Sequence, residues 1–228
     1  MLTGYFLNLS VQNLQTDILL HFATLIAIVV FFYYKWVPLL IGAVKLKKES
    51  WLYILYIVSG TIPATIIGFL LKDKVEYTFE NPLIASLGLL FTGIILIGGG
   101  LLKKEKEKRL NLLTAIVIGM TQAIAILPGI SRSGITVMAG ILMGLSFRDS
   151  FEFSFLLSIP IILGGVILNF LDNGFVYDPY TMKGATLALF FAFVSLFIFR
   201  KLLKKNKLYL FGIYCILISL IVLTILIF

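Results

Sequence analysis

Long apolar stretches, interrupted at short intervals by clusters of charge, set the pattern of this 228-residue chain. A helix needs about 20 apolar residues to cross a bilayer. Runs near residues 17–39, 51–72, 83–102, 151–170, 182–199 and 208–228 approach that length, and each reads as a spanning helix. The run at 112–127 is shorter, and the Gly-rich segment 131–146 that follows is too short to span alone. The pattern predicts an all-α polytopic membrane protein with about six transmembrane helices plus a helical hairpin.

The polar interruptions order these runs across the membrane. Loops at 45–50, 103–109 and 200–207 are basic, whereas those at 73–80 (Asp73, Glu76, Glu80) and 171–180 (Asp172, Asp178) are acidic. Basic loops stay on the cytoplasmic side, so residues 103–109 and the start of the run at 151 share one side. Segment 112–147 must then enter the membrane and return, turning at Pro128-Gly129. A re-entrant pair of this kind is tolerated only where it is buried in protein or lines a watery cavity. The three runs from residue 17 and the three from residue 152 have the same order and opposite orientation, and each set begins with an acid, Asp17 or Glu152. That is the arrangement of an inverted repeat, with a ligand site at the interface of the halves. The whole chain, 1–228, reads as one integral membrane domain with half-repeats at about 17–102 and 112–228. By the same offset the hairpin at 112–147 has a counterpart that would begin before Met1, so the first hairpin is expected to be truncated.

Composition agrees with this picture. With 60% hydrophobic residues, 13% charged residues and a mean hydropathy of +1.07, the polar groups are too few to cover a soluble surface. The net charge of +8 lies in loops, as a topology signal and as contacts to anionic lipid, and does not point to nucleic acid. The lone Cys215 excludes a disulfide framework and a thiol metal site. The first residues lack a basic n-region and a cleavage site, so no removable signal peptide is expected. Phe31, Phe32, Tyr33, Tyr34 and Trp36 read as an interfacial aromatic belt facing lipid.

Against that background the decapeptide from Leu127 to Thr136 stands apart. Arg132 is the only cation between Arg109 and Arg148. A charge at bilayer depth costs at least roughly 2.5 to 3.5 kcal/mol, which makes it a functional candidate. Gly129 and Gly134 allow backbone to approach a ligand, Ser131, Ser133 and Thr136 carry hydroxyls, and a guanidinium suits phosphate. A helix beginning after the Pro-Gly break would add its N-terminal N–H groups. The competing reading makes Arg132 the structural mate of Glu152. A serine nucleophile would need a base within reach. The only histidine, His21, lies in the opposite half and reads first as a polar group satisfied between helices.

Gln122-x-x-Ala-x-Leu-Pro-Gly-Ile-Ser-Arg-Ser-Gly-x-Thr136 resembles the second signature of the undecaprenyl-diphosphate phosphatase (bacitracin-resistance) family. The likeness continues through Gly140, Gly144 and Glu152-Phe153-Ser154-Phe155-Leu156-Leu157-Ser158-Ile159-Pro160, with further similarity at Asp17–Leu25 and Thr61–Gly68. It implies a multi-pass enzyme of the cell (cytoplasmic) membrane that removes the terminal phosphate of undecaprenyl diphosphate and regenerates the lipid carrier for cell-wall synthesis. It also implies a divalent cation, Mg or Ca, whose ligands cannot be named from this sequence. On that resemblance Arg132, Ser131 and Ser133 would act on the diphosphate, and Gly129, Gly134, Thr136, Gln122 and Glu152 would help bind it. The family's first signature, a Glu-x-x-x-Glu pair and a Pro-Ile-Ser-Ser-Thr-Gly-His type loop, would precede Asp17. Residues 1–16 contain no carboxylate and no histidine. A misplaced start, a homologue without hydrolase activity, and a substitute base at Asp17 or Glu152 are the three explanations, and the expected upstream hairpin favours the first. A lipid-phosphate transporter or flippase without hydrolysis is the alternative function.

Overall fold

The computed structural model describes residues 14–71, 81–100, 108–173, 179–205 and 207–227, and among them every regular element is helical. In chain order the helices are α1 (Leu14–Phe31), α2 (Tyr33–Val44), α3 (Lys48–Leu70), α4 (Pro82–Gly100), α5 (Leu112–Ile124), α6 (Arg132–Leu142), α7 (Phe147–Asn173), α8 (Pro179–Lys204) and α9 (Tyr209–Ile227). Among the described residues five are long and apolar enough to cross a membrane, and the α1–α2 pair makes a sixth if the bent pair is one span. The chain is a multi-pass membrane protein. Residues 1–13 and the acidic loop 73–80 lie outside the described residues.

The hairpin at 112–147 forms as its charge pattern demands. α5 has 13 residues and α6 has 11, so at a rise of 1.5 Å per residue their legs are about 20 and 16 Å long, short of the roughly 30 Å hydrocarbon core. The Lys108 N–H donates to the Gly144 carbonyl at 2.8 Å, which brings the entry to α5 and the exit from α6 to one level. α6 then runs antiparallel to α7. Thr136 Oγ1 lies 2.5 Å from Ser154 Oγ, and four residues on along α6, Gly140 faces Ser150, four residues back along α7.

The same device joins α4 to α9. A Cβ on Gly93 of α4 would stand 2.8 Å from the Gly212 carbonyl oxygen of α9, and one on Gly212 would stand 2.8 Å from the Gly93 oxygen. Seven residues back along α4 and seven forward along α9, Ser219 Oγ donates to the Ser86 carbonyl at 2.7 Å. α4 and α9 are therefore antiparallel, and the small residues admit backbone against backbone.

The run at 17–39 is not one straight helix. It breaks at Phe32, and α2 turns 75° away from α1. Tertiary contacts drive the break. Phe32 is fully buried, stacked on Phe155 at 5.6 Å and tilted against Phe151 at 5.2 Å, while Phe31 meets Phe151 edge-on. The indole N–H of Trp36 donates to the Val29 carbonyl at 2.8 Å, an acceptor left at the end of α1. This corrects the expectation that Phe31 and Phe32 face lipid: both belong to the main core with Leu156, Leu196 and Phe199. Tyr33, at 62% exposure, keeps the outward position expected of it.

Candidate functional site: the turn between α5 and α6

The site is built at the inner end of the hairpin. Asn111 caps α5, its side-chain oxygen accepting from the Thr114 N–H at 2.9 Å, and the helix ends at Ile124. The chain then turns through Pro128 and Gly129. Gly129 has φ of 80°, in the left-handed region where glycine is favoured, and its Cα faces the backbone of Ala85 so closely that any Cβ would strike it. The extended Ser131 follows as N-cap of α6, its hydroxyl oxygen accepting from the Gly134 N–H at 3.3 Å. Arg132 and Ser133 occupy the first helical turn, where backbone N–H groups have no intrahelical acceptor and the helix dipole is positive.

Arg132 is held at one point and open at another. Its Nε donates to Gln122 Oε1 at 2.9 Å, so the last turn of α5 orients the guanidinium. The Nη2 of Arg132 and the Nε2 of Gln122 are buried without a hydrogen-bond partner among the described residues. A buried donor left unpaired costs roughly 1–3 kcal/mol, and more when charged. Two such donors joined through one hydrogen bond are a chemical match for an acceptor-rich anion. Ser133 is half-buried beside them, with its carbonyl engaged by Thr136 Oγ1 at 3.4 Å. Thr136 itself is buried, and its hydroxyl is committed to the Arg132 carbonyl at 2.7 Å and to Ser154. It holds α6 to α7 and does not face the turn's open donors. Gly129 likewise serves helix packing, since the surface it approaches is α4.

Glu152 is not the mate of Arg132. Its Oε2 lies 2.6 Å from Lys35 Nζ, its Oε1 accepts from Arg148 Nε at 2.8 Å, and the Tyr34 hydroxyl donates to the same oxygen at 3.3 Å. The antiparallel register of α6 and α7 explains this: the α7 residue level with Arg132 is Ser158, and Glu152 lies six residues, roughly 9 Å, short of it. Lys35 reaches Glu152 from α2, whose residues lie beyond the break at Phe32. Of the residues picked out from the sequence, the fold brings Gln122, Ser131, Arg132, Ser133 and Gly134 together, and it leaves Glu152 in a separate charge cluster. His21 lies on an exposed face of α1, and the side chain of Asp17 lies outside the described residues.

A model of the family described as bacitracin resistance protein BacA matches residues 1–221. The chain belongs to that family. It is 38% identical over 221 residues to the undecaprenyl-diphosphatase of Thermosipho africanus (strain TCF52B), covering 96% of this chain and 88% of that protein. The undecaprenyl-diphosphatase of Thermosipho melanesiensis is 40% identical over 212 residues, covering 91% of this chain and 84% of that protein. Undecaprenyl-diphosphatase 1 of Bacillus cereus (strain ATCC 14579) is 31% identical over 233 residues, covering 96% and 86%.

For a BacA-family chain the fit of a divalent cation can be judged on donors. Mg and Ca take oxygen ligands, carboxylates above all. Among the described residues no group of three or more His, Cys, Asp or Glu comes together, and the Arg132 turn offers hydroxyl, amide and guanidinium groups. That donor set does not fit a resident Mg or Ca ion; it fits phosphate oxygens. The contribution from α4 has no counterpart among the residues picked out above. Ala85 and Gly88 abut residues 128–130, and Thr92 Oγ1 accepts from the Ser131 N–H at 2.9 Å. A threonine within an apolar run carries no local signal of such a contact.

Proposed function

We infer that this chain is an undecaprenyl-diphosphate phosphatase, a multi-pass hydrolase of the cell membrane that removes the terminal phosphate of a polyprenyl diphosphate and recycles the lipid carrier for cell-wall synthesis. The observation that carries the reading is a pair of buried donors without a partner among the described residues, Arg132 Nη2 and Gln122 Nε2, at the N-terminus of a membrane-embedded helix in a BacA-family chain. Arg132, Gln122, the Ser133 hydroxyl and the first-turn N–H groups of α6 bind the terminal phosphate. Water attacks the terminal phosphorus, the bridging P–O bond breaks, and inorganic phosphate and the polyprenyl monophosphate leave.

Such a transition state spreads charge over the non-bridging oxygens, and positioned donors in a water-poor site stabilise it more than the ground state. Ser131, tied down as N-cap, sets the geometry of the turn. The described residues of the turn supply binding and charge stabilisation, and none of them is a carboxylate or imidazole base. Nothing in the fold or among the relatives favours a carrier without hydrolysis.

The test is phosphate release from undecaprenyl or farnesyl diphosphate by purified protein in detergent, with Arg132→Ala beside it. Release by the native chain and its loss in the variant is the expected result. Equal release by both would remove Arg132 from the reaction, and binding without release by the native chain would refute the hydrolase reading.

A further inference from the structure

The turn that carries Arg132 does not shape itself; α4 shapes it. Ala85, Gly88 and Thr92 are spaced three and four residues apart, so they lie on one face of that helix. The backbone of Ala85 abuts Gly129. Gly88 receives the Pro128 carbonyl and the Ile130 N–H, and a Cβ there would stand 2.9 Å from Ile130 N and 3.0 Å from the Gly129 carbonyl carbon. Thr92, fully buried, completes the face. Its hydroxyl donates to the Gly88 carbonyl at 3.0 Å, which turns its oxygen lone pairs toward the Ser131 N–H, donating at 2.9 Å. Ser131 stands ahead of the first helical residue in extended geometry, so α6 itself offers its N–H no acceptor. Thr92 is the acceptor that lets an N-cap residue sit at this depth in an apolar protein.

We propose that Thr92 is a positioning residue for the phosphate-binding turn, acting through the Ser131 backbone N–H to place the Arg132 guanidinium and the Ser133 hydroxyl. This rests on the diphosphate reading of the site. Ser131 has both its N–H and its hydroxyl fixed, the first by Thr92 and the second by Gly134, and Arg132 follows it directly in the chain. The contact also joins the halves of the protein. Thr92 lies 39 residues before Ser131, and α4 is bonded in turn to α9 through Ser219 and Ser86.

Thr92→Val is close to isosteric and removes the hydroxyl, as acceptor for the Ser131 N–H and as donor to the Gly88 carbonyl of its own helix, and Thr92→Ser keeps both. In detergent, amide hydrogen exchange over residues 128–134 is expected to be about tenfold faster or more in the valine variant and close to native in the serine variant, because an amide that loses its acceptor loses protection. With farnesyl diphosphate as the probe, the valine variant is expected to lose about tenfold in kcat/KM, chiefly in kcat, and the serine variant to recover most of it, since small displacements of positioned donors weaken transition-state binding. Native exchange over 128–134 in Thr92→Val overturns the proposal. So does a valine variant that melts earlier yet keeps native kcat and KM below its melting point, which is the signature of a packing role alone. Should the native chain release no phosphate, the hydrolase reading fails, and the exchange measurement still decides the role of Thr92.

Discussion

Arg132 and Glu152 each anchor a buried polar centre, and the two are finished differently. Around Glu152, which is almost fully buried, each carboxylate oxygen meets a cation, one from Lys35 and one from Arg148, and a tyrosine hydroxyl adds a third contact. Around Arg132 the accounting stays open: one hydrogen bond to Gln122, then two donors without a partner among the described residues. A low-dielectric interior penalises an unpaired polar group heavily, so a folded chain closes such groups unless something else is to pair with them. The closed centre is architecture, fastening α2 to α7 across the break at Phe32. The open one is where the proposed diphosphate would bind.

The contrast can be broken by substitution, and the largest effect is expected at the open centre. Arg132→Ala should lower kcat/KM for a polyprenyl diphosphate by roughly 100-fold to 1,000-fold, as loss of one oriented transition-state donor does elsewhere. Its thermal midpoint should hold or rise, because an orphaned charge has gone. A fall in melting temperature comparable to the fall in activity would show that Arg132 is structural after all. The closed centre should behave in the opposite sense. Glu152→Gln leaves Lys35 and Arg148 without their shared anion and should cost about 1–3 kcal/mol of stability, less than a fully buried pair because Arg148 is 69% exposed and Lys35 34%. Thermal melting measures that cost, and kcat of the folded variant should change little. If kcat falls while melting is native, the two centres are not separate.

Smaller effects sharpen the picture within the open centre. Gln122→Leu removes the acceptor that orients Arg132 Nε and one of the two open donors, and it should lower kcat/KM roughly tenfold, about 1.4 kcal/mol. Native kinetics there would mean that the guanidinium is oriented by its helix alone. Ser133→Ala removes a single neutral hydroxyl and should cost a few-fold at most, about 1 kcal/mol or less. A loss as large as that of Arg132→Ala would promote Ser133 from binding group to reacting group.

Much of this was legible along the chain. The hairpin followed from charge alone, since basic and acidic loops could not alternate unless segment 112–147 returned to its own side. Arg132 announced itself as an isolated cation in apolar surroundings. The bend after α1 was hidden because Phe31 and Phe32 sit amid apolar residues with no glycine or proline at the break, and the forces that make it come from α7, over a hundred residues away. The pairing of Arg132 with Glu152 failed for a reason of register. Both open apolar segments of similar appearance, but the side-by-side alignment of α6 and α7 is set by Thr136 against Ser154 and by Gly140 against Ser150. Thr92 was illegible because a hydroxyl in a spanning helix ordinarily bonds its own preceding turn, as this one also does with Gly88.

The contact from Lys108 to Gly144 has a further consequence. With both feet of the hairpin planted at one level, the length of its legs works as a depth gauge for the guanidinium. Each residue added to or removed from α5 would move the tip by about 1.5 Å and swing it about 100° around the helix axis. One residue is thus enough to carry Ser131 out of reach of Thr92. An insertion within either leg is therefore expected to disturb the turn more than one in the loops beyond its feet.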